Sequence, residues 1–564
     1  GRDLLMAAIN DEHYDLPKKI AKLTDLVDAR CLGPSTSSIV DAATERRIPF
    51  IRLTDGNLVQ LGHGAAQHRI WTAETDNTSA IAESIACDKD LTKTLLKSCG
   101  VPVPEGRIVR SADEAWEEAQ DIGLPVVLKP YDGNHGRGVS LNLMTQSDVE
   151  AAYELAARKG GSKSVIVERF IVGNEHRVLV VGKSVVAVAK GESLWVHGDG
   201  QSTIKQLVET QINIDPRRGT TEEYPLNIVD TDVSAEVILE LQRQGMRADS
   251  IPLAGQKVLI QPNGNVALDI TDDIHPEVAA AATLAARVVG LDIAGVDLVA
   301  EDISRPLESQ GGAIIEVNAS PGLLAHIKPS NGDGRPVGKA IIDHLFAVEE
   351  TGRIDIVGVA GTRGTSLISR LIGALVHING HQTGVACKQG LFINNQVVTN
   401  GDNANWEAGQ RLLINRSVQA AIFETHSKEI LSNGLAYDKC TVGVVTDMDG
   451  HQELGEFYID DAEQMRKILR TQIDVVLPSG VAVLNADEPA VAELAELCDG
   501  KVIFYGLNSQ SEEMTSHRAK GERVVFIHDG NVVLAAGNEE TALLPLSMLK
   551  PAKAKQPEVV MAAV

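Results

Sequence analysis

Two short apolar runs, Ala294-Gly-Val-Asp-Leu-Val and Ile314-Ile-Glu-Val-Asn-Ala-Ser-Pro-Gly, have the length and composition of adjacent strands, and each carries oxygen-bearing side chains within it. A carboxylate inside an apolar strand is costly unless it is solvated at a strand end, paired, or bound to a cation. Asp297, Glu316 and Asn318 therefore form a candidate set of three hard oxygen ligands on rigid backbone. Mg²⁺ prefers such ligands and commonly uses only one or two carboxylates while it bridges nucleotide phosphates. The alternative, strand-end acids with solvated carboxylates, is weighed against the segments upstream.

The chain has 564 residues, enough for three or four α/β domains of ordinary size. Its formal net charge of −25 disfavours nucleic acid and anionic membrane as partners. Six cysteines, Cys31, Cys87, Cys99, Cys387, Cys440 and Cys498, are far apart and suggest neither a zinc site nor a disulfide scaffold, so a reducing cytoplasm is expected. No apolar run has the length of a membrane span, and the opening on Gly1 rather than Met leaves room for upstream residues.

Along the chain, residues 1–84 mix helical and strand patterns and carry no defensible chemistry. Asp88-Lys-Asp-Leu-Thr-Lys-Thr-Leu-Leu-Lys has helical spacing and ends before Gly100, Pro102 and Pro104. A strand is predicted at Pro125–Pro130 and contains Lys129. The stretch Tyr131-Asp-Gly-Asn-His-Gly-Arg-Gly138 follows. Glycines at Gly133, Gly136 and Gly138 allow backbone N–H groups to lie against phosphates, although glycines also make plain hairpin turns. Ser164-Val-Ile-Val-Glu-Arg-Phe-Ile is a predicted strand that turns polar at Glu168, suited to meet an adenine edge, and Glu175 stands where a carboxylate can accept ribose hydroxyls. Strands at Val258–Asp269 and Gly312–Val317 and a helix from about His275 to Val289 complete the segment.

These residues resemble the ATP-grasp superfamily. More closely, Thr78-Ser-Ala-Ile-Ala, Asp132-Gly-Asn-His-Gly-Arg-Gly-Val, Asn213-Ile-Asp-Pro-Arg-Arg-Gly, Asp269-Ile-Thr-Asp-Asp-Ile-His-Pro and Leu291-Asp-Ile-Ala-Gly-Val-Asp resemble the cyanophycin synthetase family over residues 33–345. The resemblance implies that Lys89 and Lys129 hold ATP phosphates, Glu168 and Phe170 the adenine, Glu175 the ribose, and Asp297, Glu316 and Asn318 Mg²⁺, with loop 132–138 closing over the γ-phosphate. Such a site activates a carboxylate as an acyl phosphate, which an amine then attacks through an oxyanion. Arg177 is the candidate oxyanion donor, and His135 and Arg137 are loop groups that arrive on closure; a strand-edge role for Arg177 is the alternative. In D-alanine ligases an arginine lies two residues before the first metal aspartate, where this chain has Gly295. Asp272 and His275 are candidate substrate contacts, although Asp-x-x-His-Pro also begins helices. His326 and Ser330 lie where related ligases bind a substrate carboxylate.

The second half departs from the pattern of the family it resembles. Asp355-Ile-Val-Gly-Val-Ala-Gly-Thr-Arg-Gly-Thr-Ser has the layout of a phosphate-binding loop and resembles the Mur-ligase module of cyanophycin synthetase, but Thr365 and Ser366 follow Gly364 where the family has Lys-Thr. Glu424-Thr-His-Ser-Lys-Glu429 replaces Glu-Thr-Ala-Arg-Gly-Gly. Val483–Pro489 resembles the passage into a C-terminal lobe, yet little chain follows, ending in the linker-like Pro551-Ala-Lys-Ala-Lys-Gln-Pro.

The expected fold is multidomain α/β: an N-terminal α/β domain (1–84), an ATP-grasp domain (85–348), a Mur-ligase-like central domain (349–490) and a truncated remnant with tail (491–564). The resemblance to the short second type of cyanophycin synthetase implies a cytoplasmic, ATP- and Mg²⁺-dependent ligase that joins β-aspartyl-arginine dipeptides to a cyanophycin chain, working as a dimer or tetramer. An ATP-grasp ligase that takes free amino acids, or a non-catalytic partner of a full-length synthetase, are the alternatives.

Overall fold

The structure is a computed structural model that describes all residues except 132–137, 160–163, 221–223, 225 and 549–555. The chain divides into two compact units. The first holds residues 1–47, 51–59 and 68–349, and the second holds 48–50, 60–67 and 350–564. Boundaries expected at 348 and 349 lie next to this division, whereas residues 1–84 and 491–564 are grouped with larger neighbours.

In the first unit, helix α1 (Lys89–Ser98) is capped by Asp88, whose carboxylate accepts from the Leu91 amide. Strand β1 (Gly106–Val109), helix α2 (Ala112–Ile122), strands β2 (Val126–Pro130) and β3 (Ser140–Leu143), helix α3 (Gln146–Lys159) and strand β4 (Val165–Arg169) follow. The four strands pair antiparallel in the order β1-β4-β2-β3. Val126, Leu128, Val165 and Val167 pack against Ala115, Ala119 and Ile122 of α2 and Val149, Ala152 and Ala156 of α3. Alternate residues thus fill one face, and Lys129 and Glu168 are left to the other.

A second sheet comprises β5 (Asn174–Val181), β6 (Ser184–His197), β7 (Lys257–Asp269), β8 (Ile293–Ala300) and β9 (Ala313–Asn318), with α4 (Pro276–Val289) packed on one face and the short helix α5 (Leu324–Ile327) after β9. Its order is β7-β6-β5-β8-β9. Val178, Val180, Ala294, Val296 and Leu298 meet Val278, Ala282, Ala285 and Ala286 of α4. The register shifts between Asp297 and Leu298, where Ile315 is the extra residue. That bulge lets Ile314 and Val317 both enter the core while Glu316 and Asn318 stay on the opposite face.

The second unit is built on one sheet of eleven strands. In chain order these are β10 (Asp355–Ala360), then helix α6 (Thr365–Ile378), β11 (Thr383–Cys387), β12 (Gly390–Ile393), β13 (Gln396–Asn400), β14 (Ala420–Thr425), β15 (Cys440–Val445), β16 (Val476–Asn485), β17 (Lys501–Tyr505), β18 (Arg523–His528), β19 (Asn531–Ala536), β20 (Glu539–Pro545) and helix α7 (Pro557–Ala563). The order is β13-β12-β11-β14-β10-β15-β16-β17-β18-β19-β20, with parallel pairing from β11 to β18 and antiparallel strands at both edges. Residues 491–564 differ from the expected remnant and tail. Four of their strands extend this sheet, and Val559, Val560, Met561 and Ala562 of α7 are buried against Ile368 and Ile372 of α6. Most of the expected linker, residues 551–555, lies outside the described residues.

Gly358 in β10 leaves no space for a side chain: an added Cβ would lie 2.0 Å from Tyr437 Oη and 2.3 Å from Gln472 Nε2. These two side chains bond each other at 2.8 Å in the core. Gly358→Ala is therefore expected to destabilise the second unit by about 3 kcal/mol through overpacking, read as a lower urea midpoint for its unfolding transition.

Candidate active site

Helix α1 presents lysines at both ends of one turn. Lys89 and Lys93, at i and i+4, share a face. Lys89 lies 3.3 Å from Glu316 on β9, while Lys93 contacts Glu168 on β4. One helical face thus meets a carboxylate from each of the two sheets. Lys129 on β2 completes the group, with its ammonium 2.9 Å from the other oxygen of Glu168.

Glu168 is buried, as is Lys129. Burial raises the Glu168 carboxyl, but the neighbouring Lys129 and Lys93 ammonium groups outweigh it and hold the acid below its usual range. Burial likewise lowers the Lys129 ammonium, and Glu168 more than offsets it, so the lysine stays above its ordinary value. Lys93 loses that balance. Burial, then the like charge of Lys129, pull it down to about 7. Both oxygens of Glu168, the residue expected at the adenine edge, thus accept from lysines. Phe170, half-buried just past β4, donates its backbone N–H to Pro125 O at 3.0 Å.

Across the five-stranded sheet, Asp269, Ala189, Arg177, Asp297 and Glu316 stand directly opposite one another in register. Neighbouring strands are about 4.8 Å apart, so Asp297 is flanked by Arg177 and Glu316. Its carboxylate accepts from Arg177 Nε at 3.1 Å and from Asn318 Nδ2 at 3.0 Å. Burial raises the Asp297 carboxyl and Arg177 only partly offsets this. Glu175 is two residues from Arg177 and exposed on the same face. Among the described residues no three of His, Cys, Asp and Glu cluster as a metal site, but two opposed carboxylates and an amide oxygen suit a hard cation that keeps waters and shares phosphate oxygens. The donor set therefore fits Mg²⁺. Gly295 lies opposite Asn318, and an added Cβ there would be 2.9 Å from Pro321 Cβ. An arginine at that position, as in the D-alanine ligases, has no room.

His326 of α5 is buried. Burial, and then Arg177, hold its imidazole down to about 4, so it is neutral at pH 7. Asp269 and Asp272 both accept from Arg335, at 2.6 and 2.8 Å. Ser330 Oγ accepts from the Ala267 amide at 3.0 Å. His275 caps α4, its Nδ1 accepting from Glu277 N at 3.2 Å, the helix-starting role that Asp-x-x-His-Pro allows. Gly138 is described with φ +77°, whereas Gly133, His135, Gly136 and Arg137 lie outside the described residues. In the second unit, Thr365 and Ser366 hydroxyls each donate to Glu424 at 2.6 Å.

A family model described as an ATP-grasp domain matches residues 82–183, the stretch that supplies Lys89, Lys93, Lys129, Glu168 and Arg177. The chain carries an ATP-grasp domain. It is 39% identical to a cyanophycin synthetase of Synechocystis sp. over 546 residues, 95% of this chain and 62% of that protein, and 38% identical to one from Nostoc sp., again over 95% of this chain and 60% of that protein. A glutathione biosynthesis bifunctional protein of Clostridium perfringens is 33% identical over 305 residues, 53% of this chain and 38% of that protein. Among solved structures, a bifunctional glutathione synthetase from Pasteurella multocida matches with a TM-score of 0.42 and 27% identity, covering 56% of this chain and 44% of that one. The chain spans about three-fifths of the length of the cyanophycin synthetases it matches. No helix among the described residues is long and apolar enough to cross a membrane.

Lys93 is the member of this lysine and carboxylate group that sequence reasoning missed. Its signal was its position one turn after Lys89, on the same helical face. Glu168→Gln is expected to leave Lys93 and Lys129 without their counter-ion and to cost about 3 kcal/mol. Lys93→Met added to Glu168→Gln should recover part of that loss, as measured by urea unfolding in a double-mutant cycle. A pH effect follows from two imidazoles. His326 and His176, the latter also held at about 4 by burial and then Lys190, are both below the ordinary 6.5 in the native chain. The unfolded chain therefore takes up protons that the native chain refuses between pH 6.5 and 4. Their stabilisation is complete above 6.5 and lost as pH falls towards 4, at about 1.4 kcal/mol per pH unit for each imidazole. His326→Gln should lose less stability than the parent chain between pH 7 and pH 5 in denaturant titrations.

Proposed function

We propose that the chain is an ATP- and Mg²⁺-dependent carboxylate–amine ligase that polymerises β-aspartyl-arginine dipeptides into cyanophycin. What carries this reading is the contrast between a complete lysine and carboxylate constellation in the first unit and a phosphate-loop motif without its lysine in the second. Lys89, Lys93 and Lys129 supply positive charge for nucleotide phosphates, with Phe170 and Glu175 beside the adenine and ribose and the glycines of 133–138 against the γ-phosphate. Asp297, Glu316 and Asn318 would hold Mg²⁺, which supplies charge neutralisation and orientation of phosphate oxygens when bound. The terminal carboxylate of the growing chain becomes an acyl phosphate, which converts oxide into a phosphate leaving group. The α-amine of the incoming dipeptide attacks that carbonyl, and Arg177, half-exposed beside Asp297, stabilises the oxyanion. His135 and Arg137 are proposed to add positive charge at the same site. His326, Ser330, Asp272 and His275 lie on the side where the dipeptide is proposed to bind. The protein is proposed to act as a dimer or tetramer in the cytoplasm.

One active site explains the dipeptide. The family resemblance implies that a full synthetase adds aspartate at its ATP-grasp site and arginine at its Mur-like site. A chain with only the first needs a building block that already bears arginine. Similarity to the glutathione biosynthesis protein supports a second reading, a ligase that adds free amino acids.

Incubation with ATP, Mg²⁺, primer and either β-aspartyl-arginine or free aspartate plus arginine separates the two. Insoluble polymer should form from the dipeptide alone, and polymer from the free amino acids would overturn the dipeptide reading. Lys129→Ala should abolish ADP release, whereas Thr365→Ala should leave the rate almost unchanged.

A further inference from the structure

The loop between β10 and α6 has the form of a phosphate nest. Gly361 and Gly364 have φ of +127° and +71°, and consecutive amides converge on one point. That point is filled. Strand β15 runs parallel to β10, with Val445 opposite Ala360, so the residues just past it arrive at the mouth of the loop. Asp447 is there and fully buried. Its Oδ2 accepts from Thr362 N at 3.0 Å, Arg363 N at 2.9 Å and Thr446 Oγ1 at 2.7 Å. Its Oδ1 accepts from Thr362 Oγ1 at 2.7 Å and from Asp449 N at 3.2 Å. Burial raises this carboxyl, but the hydroxyl and amide donors outweigh it and hold the acid below its usual range.

The surroundings leave little room for a second anion. An added Cβ on Gly361 would be 2.0 Å from Thr446 Oγ1 and 3.0 Å from Asp447 Oδ2, so the loop backbone already presses on these groups. At the other end, an added Cβ on Gly364 would be 2.5 Å from Val559 of α7. Arg363 pairs with Asp449 and Glu488, the latter at 2.7 Å, and the first hydroxyls of α6 are taken by Glu424.

We propose that Asp447 is a built-in phosphate surrogate: its carboxylate occupies the nest, keeps the loop in its phosphate-binding shape without a nucleotide, and excludes anions from the second unit. The loop is a retained nest with a covalently tethered anion in place of a ligand. This deepens the one-site reading but does not depend on the dipeptide, because its test reads anion binding rather than polymerisation.

The test uses the full chain with Lys89→Ala and Lys129→Ala, to silence the first unit, and inorganic pyrophosphate as the probe in isothermal titration. With Asp447 intact no saturable binding is expected. Adding Asp447→Ala should give one equivalent of bound pyrophosphate, at least roughly ten-fold tighter than before, and should lower the melting temperature by about 3 °C. Should that variant not fold, Asp447→Ser, which shortens the side chain, removes the charge and keeps one acceptor, carries the same comparison. Saturable binding with Asp447 intact, or a folded Asp447 variant that binds pyrophosphate no better, would overturn the proposal.

Discussion

The candidate active site rests on a carboxylate shared by two ammonium groups in a nearly dry interior. Glu168 is affordable there only because Lys93 and Lys129 bracket it, and each lysine is affordable only because of Glu168. The arrangement is not symmetric, since Lys129 is held protonated whereas Lys93 is pulled to about 7. One of the two is therefore ready to change its charge when an anion arrives. Because Lys93 belongs to α1, the same turn of helix that meets Glu316 through Lys89, the ion group also ties α1 to both sheets.

Much of this was legible in the chain itself. Strands at Val126–Pro130, Val165–Arg169, Lys257–Asp269 and Ala313–Asn318 and the helix after His275 follow from apolar periodicity and from a proline at the first helical turn. The opposition of Asp297 to Glu316 needed only adjacency of two runs, and the structure supplies the register. What was not legible depends on pairing between distant segments. That Arg177 faces Asp297, that Arg335 takes both Asp269 and Asp272, and that Glu168 serves lysines are facts of tertiary contact, which local pattern does not encode. The C-terminal segment misled for a related reason. Its Lys, Ala and Pro composition resembles a linker, yet the seven residues of α7 that follow bury four apolar side chains.

The two units handle negative charge in opposite ways. The first leaves Arg177 half-exposed and sets its carboxylates where cations can reach them. The second pairs its donors internally: the Thr362 and Arg363 amides with Asp447, and the Thr365 and Ser366 hydroxyls with Glu424. An unsatisfied buried donor is expensive, so a phosphate loop that loses its ligand is stable only if something else accepts its hydrogen bonds. Sheet and helix can then persist as a folded element whatever nucleotide is present.

At one end of the in-register row from Asp269 to Glu316 two acids, Asp297 and Glu316, stand side by side between two bases, Arg177 on one flank and Lys89 on the other. A divalent cation drawn to Asp297 and Glu316 must compete with Arg177 and Lys89 for the same oxygens. A cation bound there would free two positive side chains at once, and both would then be available to a polyphosphate. Under the proposed function, metal and nucleotide would thereby be thermodynamically linked, each improving the other's reception.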